Sequence, residues 1–137
     1  MNTEIRKELR NEIENHLRPY LQKCYRFYFS GDVDLIELNV KEEEEDISER
    51  VIIRVNIKDH STQLHIPNIS FPSSWRGNGD GMKLIDIVYR IARRHDYALF
   101  MTFLTEGFYR YLVSCGAHVT DDDTVEILSK TKLVKSQ

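Results

Sequence analysis

The chain reads as a single α+β domain, with a mixed and mostly antiparallel sheet flanked by helices. Three observations predict it. Ile5, Leu9, Ile13 and Leu17 recur every fourth residue, the spacing of one helix face. Residues 33–71 then hold three β-rich runs separated by connections that suit antiparallel neighbours. Residues 64–104 run strand, glycine-rich turn, helix, strand, and a crossover of that length returns a locally parallel pair.

In order along the chain, Thr3 can cap the first helix, with Glu4 near the positive end of its dipole. Pro19 ends or kinks that helix. Residues 20–29 are expected as a second helix packed on the first, closed by the turn Ser30-Gly31-Asp32. Val33, Leu35, Ile36, Leu38 and Val40 mark the first strand, and Val51, Ile52, Ile53, Val55 and Ile57 the second. The acidic run at residues 41–46 between them is an exposed hairpin loop. Asp59-His60-Ser61 turns the chain into a third strand, 63–71, where Pro67 demands a bulge or an edge and can splay neighbouring strands apart. Leu84, Ile85, Ile87, Val88, Ile91 and Ala92 give the helix at 82–95 a broad apolar face, with Arg93, Arg94 and His95 at its negative end. Residues 97–104 read as a central strand and 106–114 as a short helix with Gly116 at its C-terminus. A last hairpin surrounds Asp121-Asp122-Asp123. The domain spans 1–130, and 131–137 is expected as a loose tail.

Composition bounds the function. The 137 residues are 41% hydrophobic and 30% charged, with a net charge of −3, the balance of one globular domain. That charge argues against a nucleic-acid partner. No apolar run reaches the roughly 18 residues of a membrane span. The N-terminus is polar and lacks a signal-peptide core, so a cytoplasmic protein without membrane contact is expected. Cys24 and Cys115 are ordinary thiols, and His16, His60, His95 and His118 show no metal-ligand spacing.

Chemistry concentrates at Arg76-Gly77-Asn78-Gly79-Asp80-Gly81. Glycines at alternate positions let the backbone approach an anion and adopt positive φ. The helix start beyond them offers unpaired N–H groups and a positive dipole end. A strand, such a turn and a helix together suit a phosphorylated ligand. The same residues are also compatible with a plain flexible turn. The turn lacks the Gly-Lys-Ser/Thr ending of a P-loop, which disfavours a nucleotide site of that kind.

With these residues in view, the chain resembles the GNAT acyltransferase superfamily. Arg76, Gly79 and Gly81 fill that family's Arg/Gln-x-x-Gly-x-Gly/Ala pattern, with Trp75 where an aromatic is common. The segment 107–117 is similar to the family's Phe-Tyr pair, helical turn and Gly-Phe/Ala ending, here Phe108-Tyr109 and Gly116-Ala117. The order of elements agrees from about Thr3 to Leu128, so the resemblance implies a GNAT-like fold lacking the usual first strand.

The resemblance further implies acetyl-CoA as acyl donor and N-acyltransfer to a primary amine, of a small molecule or a lysine side chain. By position, Arg76 and the backbone of Gly77, Asn78, Gly79, Asp80, Gly81 and Met82 would hold the pyrophosphate. Ser70 and Phe71, on the splayed strand, would bind the pantetheine arm and polarise the thioester. Tyr109 or Tyr111 would protonate the leaving thiolate. The Phe108-Tyr109 order points first to Tyr109, and spacing to Gly116 leaves both open.

Three features depart from the family pattern. The chain opens on a helix, so the sheet is expected short by a strand, which invites pairing in a homodimer. Asp80 stands where an apolar residue is usual, and its carboxylate repels phosphate unless it points away, caps the helix or pairs with Lys83. Glu37, Glu49 and His65 are the available candidates for a general base. These departures carry the alternative, a catalytically degenerate domain serving as an interaction or regulatory module.

Overall fold

The computed structural model describes residues 3–134. Helix α1 (Thr3–Leu21) is followed by strands β1 (Arg26–Ser30), β2 (Leu35–Lys41), β3 (Arg50–Lys58) and β4 (Gln63–Ile69). Then come α2 (Asp80–Arg94), β5 (Ala98–Met101), α3 (Glu106–Ser114), β6 (His118–Asp121) and β7 (Thr124–Ile127). The strands form one seven-stranded sheet in the order β1-β2-β3-β4-β5-β7-β6. Only β4 and β5 run parallel, as the α2 crossover requires; the other neighbours are antiparallel.

The second helix expected at 20–29 is corrected to strand. α1 carries Pro19 inside its last turn and stops at Leu21, and Arg26–Ser30 pairs with β2. Phe27, Tyr28 and Phe29 prefer the pleated, half-buried surface of a sheet, and the ladder with β2 outweighs the fourfold spacing of Leu21, Tyr25 and Phe29 that suits a helix. The expected short sheet is corrected with it. The first described element is α1, and β1 fills the edge beside β2. Of the expected loose tail, Thr131 and Leu133 are buried, and the Lys132 N–H donates to the Cys115 carbonyl at 2.7 Å. Residues 135–137 lie outside the described ones.

The periodicities that predicted the elements also build the core. Ile5, Leu9, Ile13, Leu17 and Leu21 of α1 are buried to the last, as are Leu84, Ile85, Val88, Ile91 and Ala92 of α2. The two helices pack on each other, α1 against β1 and β2 and α2 against β4 and β5. Ile36, Leu38, Val55, Ile57, Leu64 and Ile66 supply buried sheet positions. No described helix is long and apolar enough to cross a membrane.

A polar clamp ties α1 to the end of α2. Arg94 bonds Glu12 at 2.5 Å and Glu8 at 3.0 Å, and the His95 ring meets the other oxygen of Glu8. Burial by itself would raise the Glu8 carboxyl, but the bonds and charges of His95 and Arg94 together outweigh it and hold the group below its ordinary 4.5. A depressed carboxyl contributes stability above its unfolded value and loses it as pH falls through the folded value. Acid should therefore loosen the α1–α2 contact as pH drops below 4.5. Glu8→Gln should flatten that part of the stability curve and lower stability at pH 7 by about 1 kcal/mol, the scale of a half-exposed pair. Urea unfolding of both proteins from pH 3 to 7 reads the difference.

Candidate functional site

The site begins where β4 and β5 part. They pair from Gln63–Ala98 to Ile66–Met101, and one more bond joins the Thr102 N–H to the Ile66 carbonyl at 3.1 Å. Two causes then separate them. On β4, Ile66 and Pro67 together face Val55 of β3, a bulge of two residues against one, as Pro67 had predicted. On the other side Phe103 takes φ +53 and turns the chain toward the last hairpin, where the Leu104 N–H bonds the Asp123 carbonyl at 3.0 Å. The Ser70 N–H still donates to β3, to the Ile52 carbonyl at 2.8 Å. Strand alternation therefore aims the N–H groups of Ile69 and Phe71 away from β3, into the gap.

A cavity of about 300 Å³ occupies the end of this gap. Gly77, Gly79 and Gly81 form one wall with Met82, and Ile69 and Phe71 of the splayed strand another. Phe108 and Tyr111 of α3 close the third side. Glycine is favoured where φ is positive: Gly77 sits at +96 and Gly79 at +74, the N-cap of α2. A Cβ on either would meet nothing within 4 Å, so the wall of the turn is open.

No described side chain caps α2, and its first internal bond runs from the Lys83 N–H to the Gly79 carbonyl at 3.1 Å. The N–H groups of Asp80, Gly81 and Met82 thus donate to no described residue, at the positive end of a fifteen-residue helix. Arg76 braces the turn by donating from Nε to the Phe71 carbonyl at 3.0 Å. Its terminal guanidinium nitrogens bond no described residue.

Asp80 resolves one of the sequence questions. The Tyr20 hydroxyl, from the last turn of α1, donates to its carboxylate. The His16 ring lies 3.2 Å from its carbonyl oxygen and 3.9 Å from its carboxylate. Asn78 donates to the Tyr20 oxygen at 3.2 Å. The carboxylate is directed to α1, and the bond to it holds the Tyr20 phenol above its usual value, opposed by the Asn78 contact. Tyr20 also stacks on Trp75, centroids 4.9 Å apart, and Trp75 meets Phe71 edge-on at 5.6 Å. An aromatic row, buried at Phe71 and Trp75 and partly buried at Tyr20, and a polar network thus fix the glycine turn to α1. Tyr20→Phe should remove the carboxylate's hydroxyl donor and cost about 1.5 kcal/mol of stability, the lower end for hydrogen bonds to charged groups. Chemical denaturation measures it, and an unchanged midpoint would mean the network contributes nothing.

The cavity brings together Phe71, Arg76, Gly77, Gly79, Asp80, Gly81, Met82 and Tyr111 among the residues singled out from sequence. Ser70, Asn78 and Tyr109 do not line it. Ser70 accepts instead from Arg50 at 3.0 Å, and Tyr109 packs against the core. The candidate bases also stand elsewhere. Glu37 is bound by Arg54 at 2.6 Å. Glu49 accepts from Tyr28 at 3.0 Å and lies 3.5 Å from Arg26. His65 bonds Gln63 at 2.8 Å and packs on Phe100, and burial, with Lys58, holds its pKa down. The Cys24 thiol is pushed up by burial and by Glu42 and Glu43, which fits an unreactive thiol.

Tyr20 and His16 had no site role in the sequence reading, and Phe108 entered it only as part of the motif around Tyr109. Tyr20 and Asp80 are sixty residues apart, and no local pattern announces their meeting. No protein-family model, curated protein or solved structure matches the chain.

Proposed function

We propose that the chain is a CoA-dependent N-acyltransferase of GNAT type, acting in the cytoplasm, which moves the acetyl group of acetyl-CoA to a primary amine by direct attack. One observation carries the reading. The gap between the parting strands, the uncapped N-terminus of α2 and a tyrosine of α3 all converge on one cavity.

Each part has a task in that chemistry. The N–H groups of Asp80, Gly81 and Met82, with the Arg76 guanidinium, would hold the pyrophosphate. The N–H groups of Ile69 and Phe71 would bond the pantetheine arm and stabilise negative charge on the thioester oxygen. The amine nitrogen attacks the thioester carbon, the C–N bond forms and the C–S bond breaks. The phenol of Tyr111 delivers its proton to the departing sulfur, and the amine's surplus proton leaves to water. Holding donor and acceptor in one cleft supplies much of the acceleration. The acidic hairpin loop at 41–46 favours a cationic acceptor, a small amine or a lysine side chain. Pairing along β1, whose Phe27 and Tyr28 are exposed, is the form a homodimer would take.

A second reading rests on its own observation. None of Glu37, Glu49 and His65 lines the cavity, which suits a degenerate domain that serves as an interaction or regulatory module. Thermal stabilisation separates the two. Acetyl-CoA at 100 times its dissociation constant should add about 2.7 kcal/mol to the enzyme and nothing to a domain without the site.

A further inference from the structure

A second cavity, of about 320 Å³, lies at the opposite end of α1, about 20 Å from Tyr20 by the rise of the helix. Arg6, Lys7 and Arg10 reach it from the helix, and Phe29, Ser30 and Gly31 close it from the β1–β2 side. Among the described residues no carboxylate lines it. Glu8 and Glu14, on the same helix, pair with Arg94 and Arg18.

The walls are fixed. Arg6 donates to the carbonyls of Asp32 at 2.7 Å, Gly31 at 3.0 Å and Leu35 at 3.2 Å. Gly31 sits at φ +120, and a Cβ there would fall 2.2 Å from the Leu35 carbonyl oxygen, so only glycine lets this turn close on Arg6. The Arg10 guanidinium rests 5.4 Å from the centroid of the Phe29 ring, a charge held over an apolar floor.

The arrangement is electrostatically costly when empty. Arg6 and Arg10 are like charges four residues apart, and Lys7 and Arg10 three apart, spacings that destabilise a helix. Arg6 stands at the end of the helix's first turn, where the dipole prefers anions. In a chain of net charge −3, three cations gathered on one cavity whose described lining holds no carboxylate would attract an anion. We propose that this cavity binds a phosphate group carried by a small molecule, held by Lys7, Arg10 and the N–H edges of Arg6 that the turn carbonyls leave free. The inference is independent of the acyltransferase reading, since it uses none of that site's residues.

The test is a titration of inorganic phosphate into the isotope-labelled full chain, following the amide signals of Phe29, Ser30 and Gly31 against sodium chloride of matched ionic strength. Saturable shifts at these amides with phosphate alone are expected. Lys7→Gln/Arg10→Gln should weaken them about tenfold or more, the effect of losing two charge-assisted contacts. Both side chains are exposed, so the variant keeps its fold, and its melting temperature without phosphate should match or exceed the parent's. Gly79→Asp should leave these shifts unchanged. Equal shifts with chloride, shifts confined to residues 77–82, or shifts that survive the double substitution would each overturn the proposal.

Discussion

Gly79→Asp should reduce acetyl-CoA affinity by about a hundredfold while leaving the protein folded. The two halves of that expectation have separate causes. Gly79 is the N-cap of α2 at φ +74, and a Cβ there meets nothing within 4 Å. Aspartate is among the residues that tolerate this conformation, so the fold loses only about 1 kcal/mol. The new carboxylate, however, stands on the turn whose N–H groups face the cavity. Opposite unit charges at 4 Å are worth about 1 kcal/mol under full water screening and about 4 kcal/mol at the dielectric of a protein surface, and like charges cost as much. A loss of 100-fold, about 2.7 kcal/mol, lies inside that range. Gly79→Ala carries the backbone strain without the charge and should bind within about tenfold of the parent. Calorimetry on both variants separates charge from strain. Parent-like affinity in Gly79→Asp would remove the glycine turn from the binding site.

Tyr111→Phe should lower turnover about a hundredfold with little change in the KM for acetyl-CoA. Positioned proton donors contribute between 10² and 10⁴ in rate. The lower end applies because Tyr111 is 52% exposed, and water can replace part of its role. A loss in kcat with KM held marks an interaction made only in the transition state. Tyr109→Phe should leave turnover within about twofold, since that ring packs against the core and does not line the cavity. Steady-state kinetics with a panel of primary amines reads both. The reverse ranking, with Tyr109→Phe the damaging change, would return the acid to the residue that follows Phe108.

The elements that depend on local periodicity were legible in the chain. The stripes of α1 and α2, the bulge at Pro67, the turn at Gly77 and Gly79 and the bounds of α3 all follow from spacing and backbone chemistry. The second helix was misread because β1 is five residues long and its aromatic run has no clean period of its own. Its identity is settled by β2, which supplies the hydrogen bonds. The same distance effect hid part of the site. The glycine turn is local and readable, whereas the partners of Asp80 come from α1, which only the tertiary fold brings alongside. The choice between Tyr109 and Tyr111 is a matter of helix phase, about 200° between residues two apart, which the sequence motif alone does not set.

The most direct test of the central claim is a calorimetric titration of acetyl-CoA into the purified full chain, with desulfo-CoA and ATP as comparisons. The acyltransferase account expects one-to-one binding in the micromolar range, shared by the two CoA compounds and absent with ATP. No heat of binding from a protein shown by circular dichroism to be folded would contradict it, and the domain would then act through a protein partner.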